Sequence, residues 1–561
     1  MRTYDTSPQY PLVDGNAVDV GYEQLVAALP STGTVAVEGP PTPDWSTFAE
    51  GVLRAANAAA IEVTIHDTRA DFPTWDTIVV DTADTIIPGD PYLARLADRT
   101  VSEMVEVKPP SPSGNVVLVI GPGASTADAE EIWYLDTPRR FALERATTKG
   151  SVLGRVEDQE PNFKRMVYHD WPVVEATRRG LVHRVDRFID LTNPLTPTHV
   201  GGDSLRGSLE QISRRPFRTA PHFMPGIWGG SWMQDTWGLH PDQPNLAWSY
   251  EMIAPEAGIL FHGTADQSEL LEVPLDLLIA AHPVPTLGEA VHASHGYSFP
   301  IRFDYLDTVG GQPLSIHCHP TEGYMQDVFG WPYTQHESYY VVDTVPGSTI
   351  YLGLRADADV EALERDCRAA DEHGTAFDPG VHINQFDSEK HGLYLIPAGT
   401  PHASGIGNLV LEISSTPYFY SLRLYDWVRT DHRGNPRAVH VDHAFKNVRT
   451  DRRGPKVDAL KCAPTVQREE VGGSEATLAD TDVVPFAVNR FEVKTAMTSE
   501  TDDRFHLLNL VEGEAVSIVV DGQPTHELNY GETIVVPAAT GRYTIENASG
   551  QPALVVKAFI R

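Results

Sequence analysis

His317 and His319 stand one residue apart in the segment SIHCHP of this 561-residue chain. Alternate residues of a strand face the same side, so the pair delivers two imidazoles into one cavity. Glu337 follows after 17 residues and opens the apolar run ESYYVVD, which is expected to form the next strand. His402 follows after a further 64 residues, beyond the turn PAGTP that bends the chain back. Three imidazoles and one carboxylate suit Zn²⁺ or Fe²⁺, with room left for water or a chelating substrate. Each histidine taken singly is more often a structural residue of its strand; the combination is what points to one divalent metal.

Such ligands must be carried by strands that converge on one cavity, and the spacing points to a cupin barrel. The residues resemble the class I, cupin-type mannose-6-phosphate isomerases. That family's pattern is Ser-x-Gln-x-His-Pro, Lys-x-Glu, a Pro-Ala-Gly-x-x-His-Ala turn, and an Arg shortly before Tyr-Asp. The matching pieces are Ser315 to Pro320, Gln335-His336-Glu337, Pro397 to Ala403, and Arg423-Leu424-Tyr425-Asp426. IWGG at 227–230 resembles the family's first-strand signature, WSYE at 248–251 its Ser-Trp-Glu strand, and AVHVDHAF at 438–445 the lead into its C-terminal half. The resemblance covers about 225–561. It implies an aldose–ketose isomerase working through an enediolate on mannose 6-phosphate, with zinc as cofactor and a sugar phosphate as the small-molecule partner. His317, His319, Glu337 and His402 would be ligands, Arg423 the catalytic cation, and Ser315 and Gln335 substrate contacts. Arg423 could otherwise be a solvated strand residue or a partner for Asp426.

Two positions depart from the family. His317 stands where the family has Gln, exchanging a carbonyl oxygen for a neutral nitrogen donor, which should tighten metal binding. Gln335 stands where the family has Lys, so a cation beside the sugar or its phosphate is missing, and another sugar or sugar phosphate becomes an alternative substrate. A non-catalytic sugar-phosphate sensor and an Fe²⁺ oxygenase are the readings from other classes. Proton removal next to a carbonyl also requires a base; Glu322, Glu251 and His336 are candidates that no spacing distinguishes.

With 43 basic against 77 acidic residues the net charge is −34, which repels nucleic acid and anionic lipid over most of the surface. Cys318, Cys367 and Cys462 are too few for a disulfide framework. The start, MRTYDTSPQYPLVDG, has no basic or apolar leader region, and no apolar run approaches the roughly 18 residues that span a bilayer. A cytoplasmic protein without a membrane or nucleic-acid partner is expected.

Residues 1–215 read differently. TVAVEGP (34–40), AIEVTIHD (60–67), TIVVDT (77–82), NVVLVIGPGAS (115–125) and EIWYLDT (131–137) are short apolar strands, with helices FAEGVLRAANAA (48–59), carrying Leu53 and Ala56 on one face, and PRRFALERATTKG (138–150), closed by Gly150. This alternation predicts an α/β domain with a parallel sheet. The strand-turn-helix order and YLDTPRRFALER resemble the P-loop nucleoside kinases, in degenerate form. The turn Gly39-Pro40-Pro41-Thr42-Pro43-Asp44 has three prolines in place of N–H donors and no Lys, and GPGAS (121–125) also lacks Lys and is taken as a plain turn. No nucleotide cofactor is expected. Arg139, Arg140, Arg145, Arg178 and Arg179 are expected on solvated helix faces.

The chain thus divides into a kinase-like α/β domain (1–215), mixed helix and strand up to a Pro-rich linker at 213–226, a metal-binding cupin (225–450) with a helical insert at 357–374, and a C-terminal metal-free cupin (461–561). The whole is mainly β. LYLIPAGTPHASGIGN (393–408) and IVVPAATGRYTIENA (534–548) form an internal repeat, with Arg542 at the place of His402.

Overall fold

The structure is a computed structural model describing residues 2–13, 17–141, 152–154, 163–264, 267–416, 420–431 and 434–561. The chain is a mainly β, multidomain protein with a mixed α/β sheet at its N-terminus. That sheet has the order Asp19–Val20, Thr198–Gly201, Arg187–Asp190, Glu131–Asp136, Gly33–Glu38, Val116–Ile120, Val63–Asp67. The last five strands are parallel, but Thr198–Gly201 is antiparallel to both its neighbours, so the sheet expected to be parallel is mixed. The cause is length: the connection 191–197 closes a hairpin and is too short for a parallel crossover. Gly33–Glu38 and Val116–Ile120 are buried throughout, as central strands covered on both faces must be.

The helix Trp45–Ala58 begins at Asp44, whose side chain accepts from the Thr47 amide at 3.0 Å. Its buried stripe is Phe48, Val52, Ala55 and Ala56, the i, i+4, i+7, i+8 pattern of a core-facing helix. Leu53, expected beside Ala56, is 38% exposed. TIVVDT is not a strand: Trp75–Asp81 is a helix that buries only Ile78 of this run, and Val80 is 73% exposed. Most of the helix expected over 138–150, with Arg145 and Gly150, lies outside the described residues.

The GPGAS loop does more than turn the chain. Glu38, at the end of the central strand, accepts from the amides of Gly39 (3.1 Å), Gly123 (2.9 Å) and Ser125 (3.0 Å) and from the Ser125 hydroxyl (2.7 Å). Converging amides of this kind cradle anions; here the anion is the chain's own carboxylate.

Two barrels follow. In the first, a sheet of Lys461–Cys462, Leu393–Ile396, Glu337–Thr344, Asn408–Ser414, Arg302–Asp307, Trp248–Met252 and His222–Met224 faces one of Ile383–Asp387, Thr349–Leu354, His402–Ser404, Ile316–Cys318 and Leu422–Tyr425. IWGG, expected as a strand, follows His222–Met224 as a turn at Ile227 and Trp228 and an isolated bridge from Gly230 to Leu246. The second barrel pairs a six-stranded with a four-stranded sheet between Thr465 and Ile560. The helix Val360–His373 starts at Asp359, which accepts from the Ala362 amide, and ends at Gly374 with φ 66°, the left-handed stop that glycine allows.

The Pro-rich segment 213–226 is not a free linker. Phe217 is fully buried and exchanges both backbone hydrogen bonds with Val535 of the second barrel. Gln9–Pro11 adds a parallel strand to Gly258–His262. One hydrophobic core joins Leu93, Leu96 and Tyr168 of the N-terminal region to Phe329, Tyr339 and Tyr420 of the first barrel, and continues to Val535 and Phe491 of the second.

Candidate metal centre

The first barrel brings His317, His319, Glu337 and His402 together, with one ligand atom from each lying within 4.8 Å of the others. Register explains how. His317 pairs directly with His402 on one side and Arg423 on the other, and directly opposed residues share a face. One row across three strands therefore presents two imidazoles and a guanidinium to the interior. Glu337 opens the strand Glu337–Thr344 of the facing sheet and reaches across the cavity. The His317 and His402 rings are 4.1 Å apart, and the His319 ring is 5.4 and 5.2 Å from them.

Backbone carbonyls orient the rings. His317 Nδ1 donates to Ser315 O at 2.8 Å, His402 Nδ1 to Thr400 O at 2.9 Å, and His319 Nδ1, at a longer 3.4 Å, to Tyr420 O. A proton fixed on Nδ1 leaves each Nε2 lone pair free to point inward, as metal-ligating histidines require. His319 Nε2 is 2.5 Å and His402 Nε2 3.4 Å from Glu337 Oε2. Two electron-rich atoms at the shorter distance need a proton or a cation between them. His402 Nε2 and Glu337 Oε1 are buried without a hydrogen-bond partner, a costly state that a bound ion would relieve. The residues fit a divalent metal.

Electrostatics favour the same state. Burial, reinforced by the neighbouring imidazoles, holds His317 well below the usual histidine range, and burial also lowers His319 although Glu337 opposes it. Burial alone would raise Glu337, but His402 and His319 outweigh it and keep the carboxyl well below its usual range. An imidazole that gives up its proton readily, as at His317, and a carboxyl that does the same, as at Glu337, are the kinds of group that bind metal.

Arg423 donates to Ala438 O at 3.0 Å, and among the described residues no carboxylate lies within 4.0 Å of it. Burial, with Arg437 next in effect, lowers it to about 10. Asp426 is taken by Arg429 and Arg437, and accepts from the Ser315 hydroxyl at 2.6 Å. Ser315 thus ties the ligand strand to Asp426. The Gln335 amide is buried, 3.3 Å from Glu337 Oε2 and 3.4 Å from Glu412 Oε1.

Of the candidate bases, Glu251 is turned away from the cluster and accepts from Tyr4 at 2.6 Å. Glu322 is bonded to His336 at 2.9 Å, chiefly by which it is lowered to about 2, too acidic for efficient proton abstraction near neutrality. Sequence reasoning missed Glu412. Burial and Glu337 raise it to about 7 against its 2.9 Å ion pair with Arg302. The signal was a lone charged residue inside the apolar strand LVLEIS.

Among the described residues no second group of three or more potential ligands of this kind is present. In the second barrel Ser499 pairs with Tyr543 and Glu500 with Arg542. Arg542, which the repeat sets at the place of His402, is exposed, as is its partner Glu500. The basic residues of the N-terminal region are likewise not all solvated. Arg178 is buried between Asp136 (3.1 Å) and Asp276 (2.9 Å), while Arg139 and Arg140 pair with Glu175 and Glu272. Arg179 is exposed.

Two family models match separate parts of the chain. Residues 479–556 match the family model described as mannose-6-phosphate isomerase, cupin domain, and residues 21–214 match a domain of unknown function (DUF8485). The chain is similar to the Bacillus subtilis protein named probable mannose-6-phosphate isomerase GmuF, 24% identical over 339 residues, or 59% of this chain and 96% of the relative. It is 23% identical over 344 residues to mannose-6-phosphate isomerase ManA of the same organism, covering 60% and 97%. A solved Bacillus subtilis mannose 6-phosphate isomerase aligns with 61% of this chain and 99% of its own, at 21% identity and a TM-score of 0.49.

Proposed function

We propose that the protein is a zinc-dependent isomerase of the cupin-type mannose-6-phosphate isomerase kind, interconverting mannose 6-phosphate and fructose 6-phosphate in the cytoplasm; the similarity of residues 479–556 to that family's cupin domain and of the chain to relatives so named supports the reading. The observation that carries the reading is the convergence of four oriented ligands beside a partly exposed arginine that, among the described residues, has no carboxylate within 4.0 Å. No helix of the described residues is long and apolar enough to cross a membrane.

His317, His319, Glu337 and His402 would hold the ion, which when bound would supply Lewis-acid stabilisation to negative charge on adjacent substrate oxygens. Moving a carbonyl between C1 and C2 removes a proton from the carbon beside it and leaves an enediolate. Arg423, in the same row as His317 and His402, places its guanidinium where that charge or the substrate's anionic end is met, in a largely buried setting that strengthens the interaction. Glu412, near neutrality and joined to Glu337 through the Gln335 amide, has the proton affinity for carrying the proton between the two carbons. Gln335 orients both carboxylates. The partly exposed His317 and Arg423 mark the side from which sugar enters.

A panel of phosphorylated and free aldoses, followed by NMR with the zinc-loaded protein, tests the proposal. Conversion of mannose 6-phosphate in preference to the unphosphorylated sugar is expected. Conversion of a different aldose alone would replace the substrate, and conversion of none would remove the activity.

A further inference from the structure

The N-terminal region does not stand apart from the metal centre. Its loop crosses the first barrel at 90–97: the Leu96 amide donates to Phe329 O at 2.9 Å, and Arg95 donates to Asp327 O at 2.9 Å. Asp90 Oδ2 is 2.6 Å from His443 Nε2. His443 lies on the helix Val441–Asn447, whose preceding residue His440 is bonded in both directions to the backbone of Arg423, at 2.8 and 3.1 Å.

The tightest junction is Tyr420. Its ring is held between Phe329 of the barrel (4.2 Å) and Tyr168 of the N-terminal region (5.2 Å). Its hydroxyl donates to Ala94 O at 3.0 Å, while its own carbonyl receives Nδ1 of the ligand His319 at 3.4 Å. The Ala97 amide donates to Tyr168 O at 2.9 Å, closing the 94–97 loop onto the segment that carries Tyr168. One residue, 1% exposed, thus touches a metal ligand through its backbone and the N-terminal region through its side chain.

We propose that the N-terminal region is the outer support of the metal centre, with Tyr420 as the positioning residue through which it sets the orientation of His319. Groups behind a ligating histidine fix its tautomer and ring direction, and their loss weakens metal binding by about ten- to a hundredfold. The proposal rests on the ligand set assigned above and adds a role for residues 90–97 and Tyr168. It does not require that the substrate be mannose 6-phosphate.

The test uses the full chain carrying Tyr420→Phe, which keeps the ring and removes only the donor to Ala94, and in a second variant Asp90→Asn, which weakens the junction to His443. Zinc affinity is read by competition with a chelator, ligand geometry by the absorption spectrum of the cobalt-substituted protein, and folding by the thermal midpoint of the zinc-free chain. In Tyr420→Phe, zinc affinity is expected to fall about tenfold with an altered cobalt spectrum, while Asp90→Asn changes the affinity less. Wild-type affinity and spectrum in both variants would overturn the proposal. So would a loss of zinc affinity matched by collapse of the zinc-free thermal midpoint, which marks a structural effect alone. None of these readouts needs turnover, so weakened zinc binding in a protein that isomerises no sugar would uphold the positioning role and discard the isomerase reading.

Discussion

At the residue scale, the account rests on what one row of side chains can do. Arg423 sits opposite His317, so Arg423→Gln removes the cation without touching a ligand. Losing a charge-stabilising donor of this kind costs about a hundred- to a thousandfold in kcat, with zinc content unchanged; steady-state kinetics beside metal analysis check both halves. Gln335→Lys makes the opposite change. The amide already lies 3.3 and 3.4 Å from two carboxylates, so an ammonium there enters a site prepared for positive charge. A charge-assisted contact of about 1.5–3 kcal/mol raises kcat/KM for mannose 6-phosphate by about ten- to a hundredfold. An unchanged or lower value, beside efficient wild-type turnover, would mean that phosphate is held from elsewhere.

At the element scale, ligand chemistry was readable from sequence because His-x-His on a strand and a carboxylate at the head of the next carry their meaning locally. Glu337 and His402 needed only the two-residue period of strands and one turn. TIVVDT reads as a strand because of its β-branched run, whereas Trp75–Asp81 is a helix in which Ile78 alone is buried. Arg178 was placed on the surface because nothing near it in sequence announces Asp136 or Asp276. Tyr420 and Ala94 are separated by 326 positions, a contact no periodicity encodes. The phosphate-like loop shows the reverse case: Glu38 occupies the amides that a nucleotide would need. Titration calorimetry of the full chain with ATP and magnesium is therefore expected to show no binding at micromolar concentrations, and a micromolar Kd would contradict the plugged loop.

At the scale of the whole molecule, the N-terminal segment fastens the three regions together. Tyr4 bonds to Glu251 of the first barrel, the Asp5 amide donates to Glu532 of the second at 2.6 Å, and Arg218 pairs with Glu532 at 3.0 Å. Burial raises Glu251 to about 7, against the hydrogen bonds from Ser249 and Tyr4. A carboxyl whose folded pKa is raised binds its proton more tightly in the folded state, so its stabilisation is complete below the unfolded value of about 4.5 and is lost as pH rises through about 7. Between those limits the loss is on the order of 3 kcal/mol. Glu251→Gln keeps an acceptor for both hydroxyls and cannot ionise. The variant should match wild type in denaturant stability at pH 5 and exceed it at pH 8; equal stability at both pH values would contradict the assignment.

The most direct test joins metal occupancy to turnover. Zinc is added stepwise to the chelator-stripped protein while bound metal and formation of fructose 6-phosphate from mannose 6-phosphate are measured together, with His402→Ala as control. Removing one of four ligands should cost the site several kcal/mol, a substantial part of the roughly 10–16 kcal/mol such centres provide. The account predicts activity rising in proportion to zinc and levelling at about one ion per chain, with neither bound metal nor activity in His402→Ala under the same conditions. Turnover independent of zinc, or a fully loaded protein that converts no sugar, would contradict it.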